Sequence, residues 1–509
     1  MLLNKVVITV LFCAATNFGL AQKIVYSEPD NDDTRRMNFE IIGKVSGNFL
    51  IYKNTRNRSY VSVYNNAMEE VSRVEQDYMP DDRLINVDFF PYADHTYLVY
   101  QYQKKNVVYC NAVKVDGQGK KISEITTLDT SHIGSVANNK IYTAISSENK
   151  QKIMLFKINS RNKSQFIITT LLYNADLSLQ KRSRFGMSME ENNDYLDEFN
   201  IDNGGDFIFA KFNRNSNETI TNTLLYWKQA DSDSLLTIAV PHEKILLDEI
   251  HLKVDNPNQR YFLTSFYYAK KRGNIEGFYF YVWDKQSQQP VMQNAVLLGD
   301  DLRRDAKGDA NIKMAFNDYF VRNVIVKKDG GFVINTEAYY TSSRGSNWNR
   351  WNYLYGMPMS SWDYYSYSPY SSGYNNWYWR DRYGSGGNVR RHADNVTILS
   401  FDSTGKMEWS SVIHKEQFDD ETDDRISYFT ANRGSQIHYL FNIDERRGLF
   451  LNDYTLSPDG NLNHNPTLKN LDRGYEFLPK FGKQVSSYQV IMPCYYRNYI
   501  CFAKIEFNQ

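Results

Sequence analysis

Short strand-like segments, separated by tight-turn residues, recur along the whole chain and restrict its fold more than any other feature. GNFLIYKN, TYLVYQY, NVVYCNAVKV, FIITTLLYN, RYFLTSFYY and FYFYVWD are short, rich in β-branched and aromatic residues, and often alternate in polarity. That is the pattern of strands rather than helices. Between such segments lie Asp116-Gly117, Asn203-Gly204-Gly205, Asp329-Gly330-Gly331, Ser403-Thr404-Gly405 and Asp459-Gly460. These pairs supply the positive φ angles that tight hairpins need. No long stretch has helical periodicity. Residues 65–77, NNAMEEVSRVEQD, are the best helix candidate and also read as a charged strand end.

The segments group into units near 38–77, 84–129, 134–189, 195–244, 245–301, 315–417, 426–472 and 477–509. Apart from one long insert, each holds about 45–60 residues and three or four strands, the signature of propeller blades. The last unit is a strand short, and KIVYSE at 23–28 is placed to complete it and close the ring. The expected fold is an all-β propeller of seven or eight blades over residues 22–509, with a long aromatic-rich loop insertion. Tandem β-sandwiches would also give regularly spaced strands, but no Pro/Gly-rich linker divides the chain.

The insertion, within 343–391, holds five of the 8 tryptophans and nine of the 39 tyrosines, and Leu354 is the one branched aliphatic from Ser343 to Asn388. Such a segment cannot build a core of its own and should project as a loop. Loops of this length are usually functional or disordered. Three readings stand side by side: a low-complexity tract, a protein-binding loop with the Tyr, Ser, Gly, Asn and Trp composition of paratopes, and a platform for stacking on sugar rings. The candidate contact residues are Trp348, Trp351, Trp362, Tyr364, Tyr365, Tyr367, Tyr370, Trp377, Tyr378, Trp379, Arg380 and Arg382. Exposed aromatic surface on this scale marks an interaction site.

At the N-terminus, Lys5 precedes an apolar run from Val6 to Ala15, and Gly19-Leu20-Ala21 fits a signal-peptidase site. The run is too short to span a membrane, which takes about 20 residues. Residues 1–21 are expected to be a secretory signal. The protein would then be exported: periplasmic, outer-membrane-associated or extracellular. The charge is balanced, 59 basic against 59 acidic residues, without the basic excess of nucleic-acid binders. An envelope protein or a glycan is the expected partner.

Of the cysteines beyond the signal, Cys110 reads as a core thiol. Cys494 and Cys501 stand opposite one another if Arg497-Asn498 is a two-residue turn. Export would permit a disulfide between them, whereas a hydrogen-bonded pair position holds the Cα atoms wider apart. A bridge and two buried thiols both remain open.

Catalytic signatures are sparse. The chain has no G-x-S-x-G elbow and no phosphate-binding glycine loop, and its 8 histidines are scattered. No cofactor is expected. Calcium has weak candidates in Asp305 and Asp309, within an acidic stretch that Arg303, Arg304 and Lys307 also neutralise. Glycoside hydrolysis would need two carboxylates flanking the sugar bond. Glu337 is the first suspect, with Asp402 and Asp206 as partners if the blades converge them.

The stretches NVIVKKDGGFVINTEAYYTSS, NVTILSFDSTGKMEWSSVIHKEQFDDETDDRISYF and GSQIHYLFNID resemble a family of uncharacterised secreted proteins of Bacteroidota-type bacteria. The shared pattern is a strand ending in Asp-Gly-Gly that leads to a Glu-containing strand. A Gly-x-x-x-Trp hairpin follows, here Gly405 and Trp409, then Lys415-Glu416-Gln417 and Ser427-Tyr428-Phe429. The resemblance covers roughly 315–509 and implies a propeller-like fold and export, without implying an activity. The combined reading is a secreted, non-enzymatic binding or scaffold protein of the cell envelope. The alternative is a glycan-binding or carbohydrate-active propeller.

Overall fold

The computed structural model describes residues 23–30, 37–80, 83–134, 136–137, 140–162, 164–189, 194–215, 218–308, 311–342, 350–355, 389–420, 422–445, 448–465 and 474–507. Its strands form a β-propeller, and the sheet order sets the blade number at eight. Each blade is an antiparallel meander. The innermost strands are Met37–Val45, Leu84–Pro91, Thr143–Ser146, Asp194–Ile201, His251–Asp255, Tyr319–Val326, Tyr428–Asn432 and, in blade 8, the broken pair Tyr475–Phe477 and Lys483–Ser486. Blades 4 and 5 merge into one sheet because Leu246–Leu247 pairs with a strand of each.

The ring is closed by the first described segment. Lys23–Tyr26 pairs antiparallel with Tyr499–Glu506, Ile24 opposite Ile505, and becomes the outermost strand of blade 8. The first and last parts of the described chain therefore share one sheet, as the missing strand of the last unit predicted. Segment 65–77 is not helical; its core is the outer strand Glu70–Glu75 of blade 1.

The eight main apolar clusters lie between consecutive blades. Tyr52 and Val61 of blade 1 meet Leu98 and Val113 of blade 2. Phe262 and Phe280 of blade 5 meet Phe332 and Phe401 of blade 6. Phe39 and Ile51 of blade 1 meet Ile491 and Phe502 of blade 8. This packing explains the sequence pattern. A middle strand such as Arg260–Tyr268 is covered on both faces and buried almost throughout, whereas the outer strand Leu179–Ser188 alternates. Turn glycines tie neighbours together: Gly460, at φ +87°, leaves room for the Trp409 ring of blade 6, which an added Cβ would approach to 2.6 Å. No helix among the described residues is long and apolar enough to cross a membrane.

In a meander, the first and third turns of each blade leave at one end, and the second turns leave at the other together with the blade-to-blade connections. The aromatic insertion occupies the second turn of blade 6, between Phe332–Ser342 and Arg390–Phe401. Its two ends therefore lie on the face that carries the connections.

Candidate functional site

The innermost strands surround a central cavity of about 470 Å³. Charged side chains line it from blade after blade: Glu40 from blade 1, Asp88 from blade 2, Glu198 from blade 4, Lys253 from blade 5, Arg322 from blade 6 and Lys483 from blade 8. Lys140 joins them from the connection between blades 2 and 3. One wall, formed by Glu40, Asp88, Lys140 and Lys483, combines two carboxyl groups with two amines. Burial pushes the Glu40 carboxyl up to about 8; Asp88 adds to the rise, while Lys483 and Lys140 oppose it. Burial raises Asp88 as well and lowers Lys483 and Lys140. Asp88 Oδ2 is sealed from solvent and has no hydrogen-bond partner. The side chains of Glu40 and Lys483 form no hydrogen bond or close ion pair among the described residues.

Across the channel, His251 and Glu198 have partners. His251 Nε2 lies 3.0 Å from Glu249 Oε2 and Nδ1 lies 3.9 Å from Glu198. Burial works against the charged imidazole, but Glu249 and Glu198 outweigh it and lift His251 to about 9. Glu198 adopts a left-handed conformation, φ 58°, at a bulge in its strand, and its carboxylate accepts from the Leu252 amide at 2.7 Å, linking blades 4 and 5. Glu249 accepts from the Val321 amide of blade 6 at 2.8 Å.

Behind Arg322 lies a second polar cluster, between blades 6 and 7. Glu337 is wholly buried; its Oε1 is ion-paired with Lys415 Nζ at 2.9 Å, and its Oε2 accepts from Arg322 Nε at 3.0 Å and Ser427 Oγ at 2.7 Å. Burial pushes its carboxyl up, but Lys415, Arg322 and Ser427 outweigh burial and hold it below the usual glutamate value. Gln417 accepts from Lys415 Nζ at 2.8 Å and from the Ser427 amide at 2.9 Å, and donates to the Asn442 carbonyl at 2.7 Å. The glutamate, the Lys-x-Gln element and the serine are thus one hydrogen-bonded unit joining two blades.

This geometry corrects the expectation for the three suspected carboxylates. Glu337 has no face left for a substrate. Asp402 lies in the third turn of blade 6, where it accepts from Thr404 and Lys406 amides. Phe332, pairing with Phe401, puts that turn some five residues along the sheet from Glu337, about 17 Å in extended chain. Asp206 belongs to blade 4 and is held by Trp227, the Ala230 amide and Lys285. The three do not converge. Glu40 in MNFEIIGKV and Asp88 in LINVDFFP both line the cavity, and each stands in a largely apolar first strand.

The root of the insertion reaches this region. The short helix Arg350–Tyr355 docks on the connection face. Arg350 binds Asp248 through Nε at 3.0 Å and Nη2 at 2.6 Å. Trp351 is 2 % exposed, set edge-on against Tyr195 at 5.2 Å with the Arg214 guanidinium over its ring. Expected as an exposed contact residue, Trp351 is instead an anchor, because the apolar pocket between blades 4 and 5 takes its ring. Tyr353 stacks on Tyr339 and its hydroxyl accepts from Arg322 Nη1 at 2.9 Å. The helix is therefore joined to a channel residue. Trp348, Trp362, Tyr364, Tyr365, Tyr367, Tyr370, Trp377, Tyr378, Trp379, Arg380 and Arg382 lie outside the described residues, as does Asp309.

Asp305 sits 3.1 Å from His414, and no group of three or more His, Cys, Asp or Glu among the described residues could hold a metal ion. Cys494 and Cys501 are directly opposite across a hairpin whose turn residues, Arg497 and Asn498, have φ of 51° and 70°. Both are buried free thiols, their sulfurs 2.9 Å apart. Cys110 is a buried core thiol, as expected.

No family model and no curated protein matches the chain. Among solved structures it is similar to the β-propeller domain of the Trilobed protease from Pyrococcus furiosus, at 8% identity over 84% of this chain and 94% of that one, TM-score 0.37. It is also similar to the β-propeller domain of Nup133 from Vanderwaltozyma polyspora, at 8% identity over 83% and 100%, TM-score 0.38. A third is the polysaccharide lyase Uly1, at 8% identity over 96% and 100%, TM-score 0.39.

Proposed function

We propose that this chain is an exported, non-enzymatic binding or scaffold protein of the cell envelope. In this reading the propeller is a rigid frame and the aromatic insertion contacts a protein partner from the connection face. The observation that carries it is the anchored root of the insertion. Arg350 and Trp351 fix one end of a tract rich in Trp and Tyr beside the channel rim, and fixing a loop in place lowers the entropy lost on binding. The leader-like N-terminus supports export. The bonded state of Glu337, Asp206 and Asp402 supports a non-catalytic role for them.

The test is a cross-linking pull-down from envelope extracts. The intact chain is compared with one in which 356–388 are replaced by a short Gly-Ser turn, leaving Arg350–Tyr355 in place. Loss of a specific protein with folding intact supports the reading; recovery of the same material by both chains refutes it.

A second reading, a carbohydrate-active propeller, is favoured by one observation. Glu40, held protonated up to about 8 beside Asp88 in an open cavity, has the property a general acid needs. Polysaccharide turnover abolished by Glu40→Gln would establish it over the first.

A further inference from the structure

Basic groups outnumber acidic ones around the central cavity. The acidic residues lining it are Glu40, Asp88 and Glu198; the basic ones are Lys140, Lys150, His251, Lys253, Arg322 and Lys483. Most of them have partners in the frame. His251 lies 3.0 Å from Glu249, and Arg322 donates to Glu337 and Tyr353. Lys140 is engaged as well. Glu198 accepts from the Leu252 amide. Asp88 has Asn86 beside it, and its Oδ2 is sealed from solvent. Left to meet a ligand are Lys150, Lys253, Lys483 and Glu40. Among the described residues the side chains of Lys253 and Lys483 make no hydrogen bond or close ion pair. Lys150 donates to the Pro91 carbonyl at 2.8 Å, which leaves hydrogens of its ammonium for another acceptor. Glu40 is kept protonated by burial up to about 8, so at neutral pH it brings little charge and can itself donate.

The free lysines stand on two sides of the ring. Lys483 belongs to blade 8 and Lys150 to the first turn of blade 3, and each is near enough for its charge to act on the other. Lys253 is exposed on the innermost strand of blade 5. In a ring of eight, blade 5 stands across from blade 1, which lies between blades 8 and 3. Arg322, on the neighbouring blade 6, and His251, lifted to about 9 by Glu249 and Glu198 against the cost of burial, add positive field on the side of Lys253. A cation would be repelled from this space. A neutral or apolar ligand would strip water from the lysines without giving them a counter-charge, which costs free energy. An ion with a negative group at each end serves both sides. The cavity, at about 470 Å³, falls within the usual range of roughly 300–1,000 Å³ for small-ligand sites.

We propose that the central channel binds a small dianion, with one anionic group taken by Lys483 and Lys150 and the other by Lys253. This goes beyond the binding reading above, since the ligand is small, lies in the channel and does not need the insertion.

The experiment is calorimetric titration of the intact chain at low salt with five probes: glucarate, fructose bisphosphate, acetate, glucose and putrescine. Glucarate and fructose bisphosphate distinguish carboxylate from phosphate as the anionic group. Lys253→Gln, Lys483→Gln and the chain whose 356–388 are replaced are titrated beside it. Circular dichroism and a urea midpoint establish folding for each. Lys253 is exposed and unbonded, so its variant keeps the test open if Lys483→Gln fails to fold. At least one dianion should bind more tightly than acetate, with no binding of glucose or putrescine, and added salt should weaken it. Each lysine variant should bind it about tenfold or more weakly, the size expected for losing a charged hydrogen bond, and the insertion-replaced chain should bind as the parent does. Failure of both dianions to bind, glucose or putrescine binding as well as they do, or affinity unchanged in the folded lysine variants would overturn the proposal. Loss only in the insertion-replaced chain would also overturn it, while leaving the binding reading standing.

Discussion

Glu337 and Glu40 are both glutamates enclosed by the propeller, and both have lysine in reach, yet their surroundings differ completely. Glu337 has three partners at 3.0 Å or less and its carboxyl is held low. Glu40 has none so close and its carboxyl is pushed up to about 8. A buried carboxyl without a close partner resists ionisation and costs stability once charged, and proteins keep such groups where they serve a site. Glu337 joins blade to blade, whereas Glu40 faces open space. The chemical type of a residue therefore does not separate structural from functional carboxylates in this ring; the completeness of its bonding does.

The largest effect should come from breaking the complete cluster. Lys415→Met leaves Glu337 buried with one cationic partner fewer and should cost about 3–5 kcal/mol in urea unfolding. A cost near zero would place Glu337 among the site carboxylates. Next, Trp351→Ala empties a pocket between blades 4 and 5 and should cost about 3 kcal/mol. The partner recovered through the insertion should weaken at the same time; a change in stability alone would separate the anchor from function.

The two glutamates should also respond oppositely to pH. Glu40 has a folded value of about 8 against an ordinary 4.5, so between those values the folded state binds more protons than the unfolded one. Its contribution is present below pH 4.5 and is lost as the pH rises toward 8. The slope of stability against pH should therefore be flatter in Glu40→Gln than in the parent across that window. Asp88, raised in the same way, adds to this slope. Glu337 is depressed, so its contribution is present above pH 4.5 and is lost as the pH falls through its folded value. An unchanged neutral-range slope in Glu40→Gln would show that the channel wall is better solvated than the geometry implies.

The ring was legible in the sequence because its cause is local. Strand length, alternation and Asp-Gly turns are set residue by residue, and the short last unit pointed to KIVYSE as the closing strand. Blades 4 and 5 were separable as units, but their merger was not, since it depends on two residues, Leu246 and Leu247, bridging neighbouring sheets. The site was less legible because it is assembled from positions more than 400 residues apart, Glu40 and Lys483 among them. The pattern GGFVINTEAYY drew attention to Glu337, whose role depends on Lys415 and Ser427 across a blade boundary. The aromatic composition of the insertion suggested contact surface throughout, and a pocket formed by Tyr195 and Phe212 turned Trp351 inward.

The most direct test of the account is the urea midpoint of Asp88→Asn at pH 7.5, measured beside the parent. The substitution keeps the shape of the side chain and removes a charge that has an unpartnered, sealed oxygen. If Asp88 Oδ2 is left without a partner in the folded protein, the midpoint rises, by about 1 kcal/mol in unfolding free energy. A midpoint lowered by a similar amount would mean that Asp88 is bonded in the folded protein and belongs to the frame, contradicting the contrast drawn with Glu337.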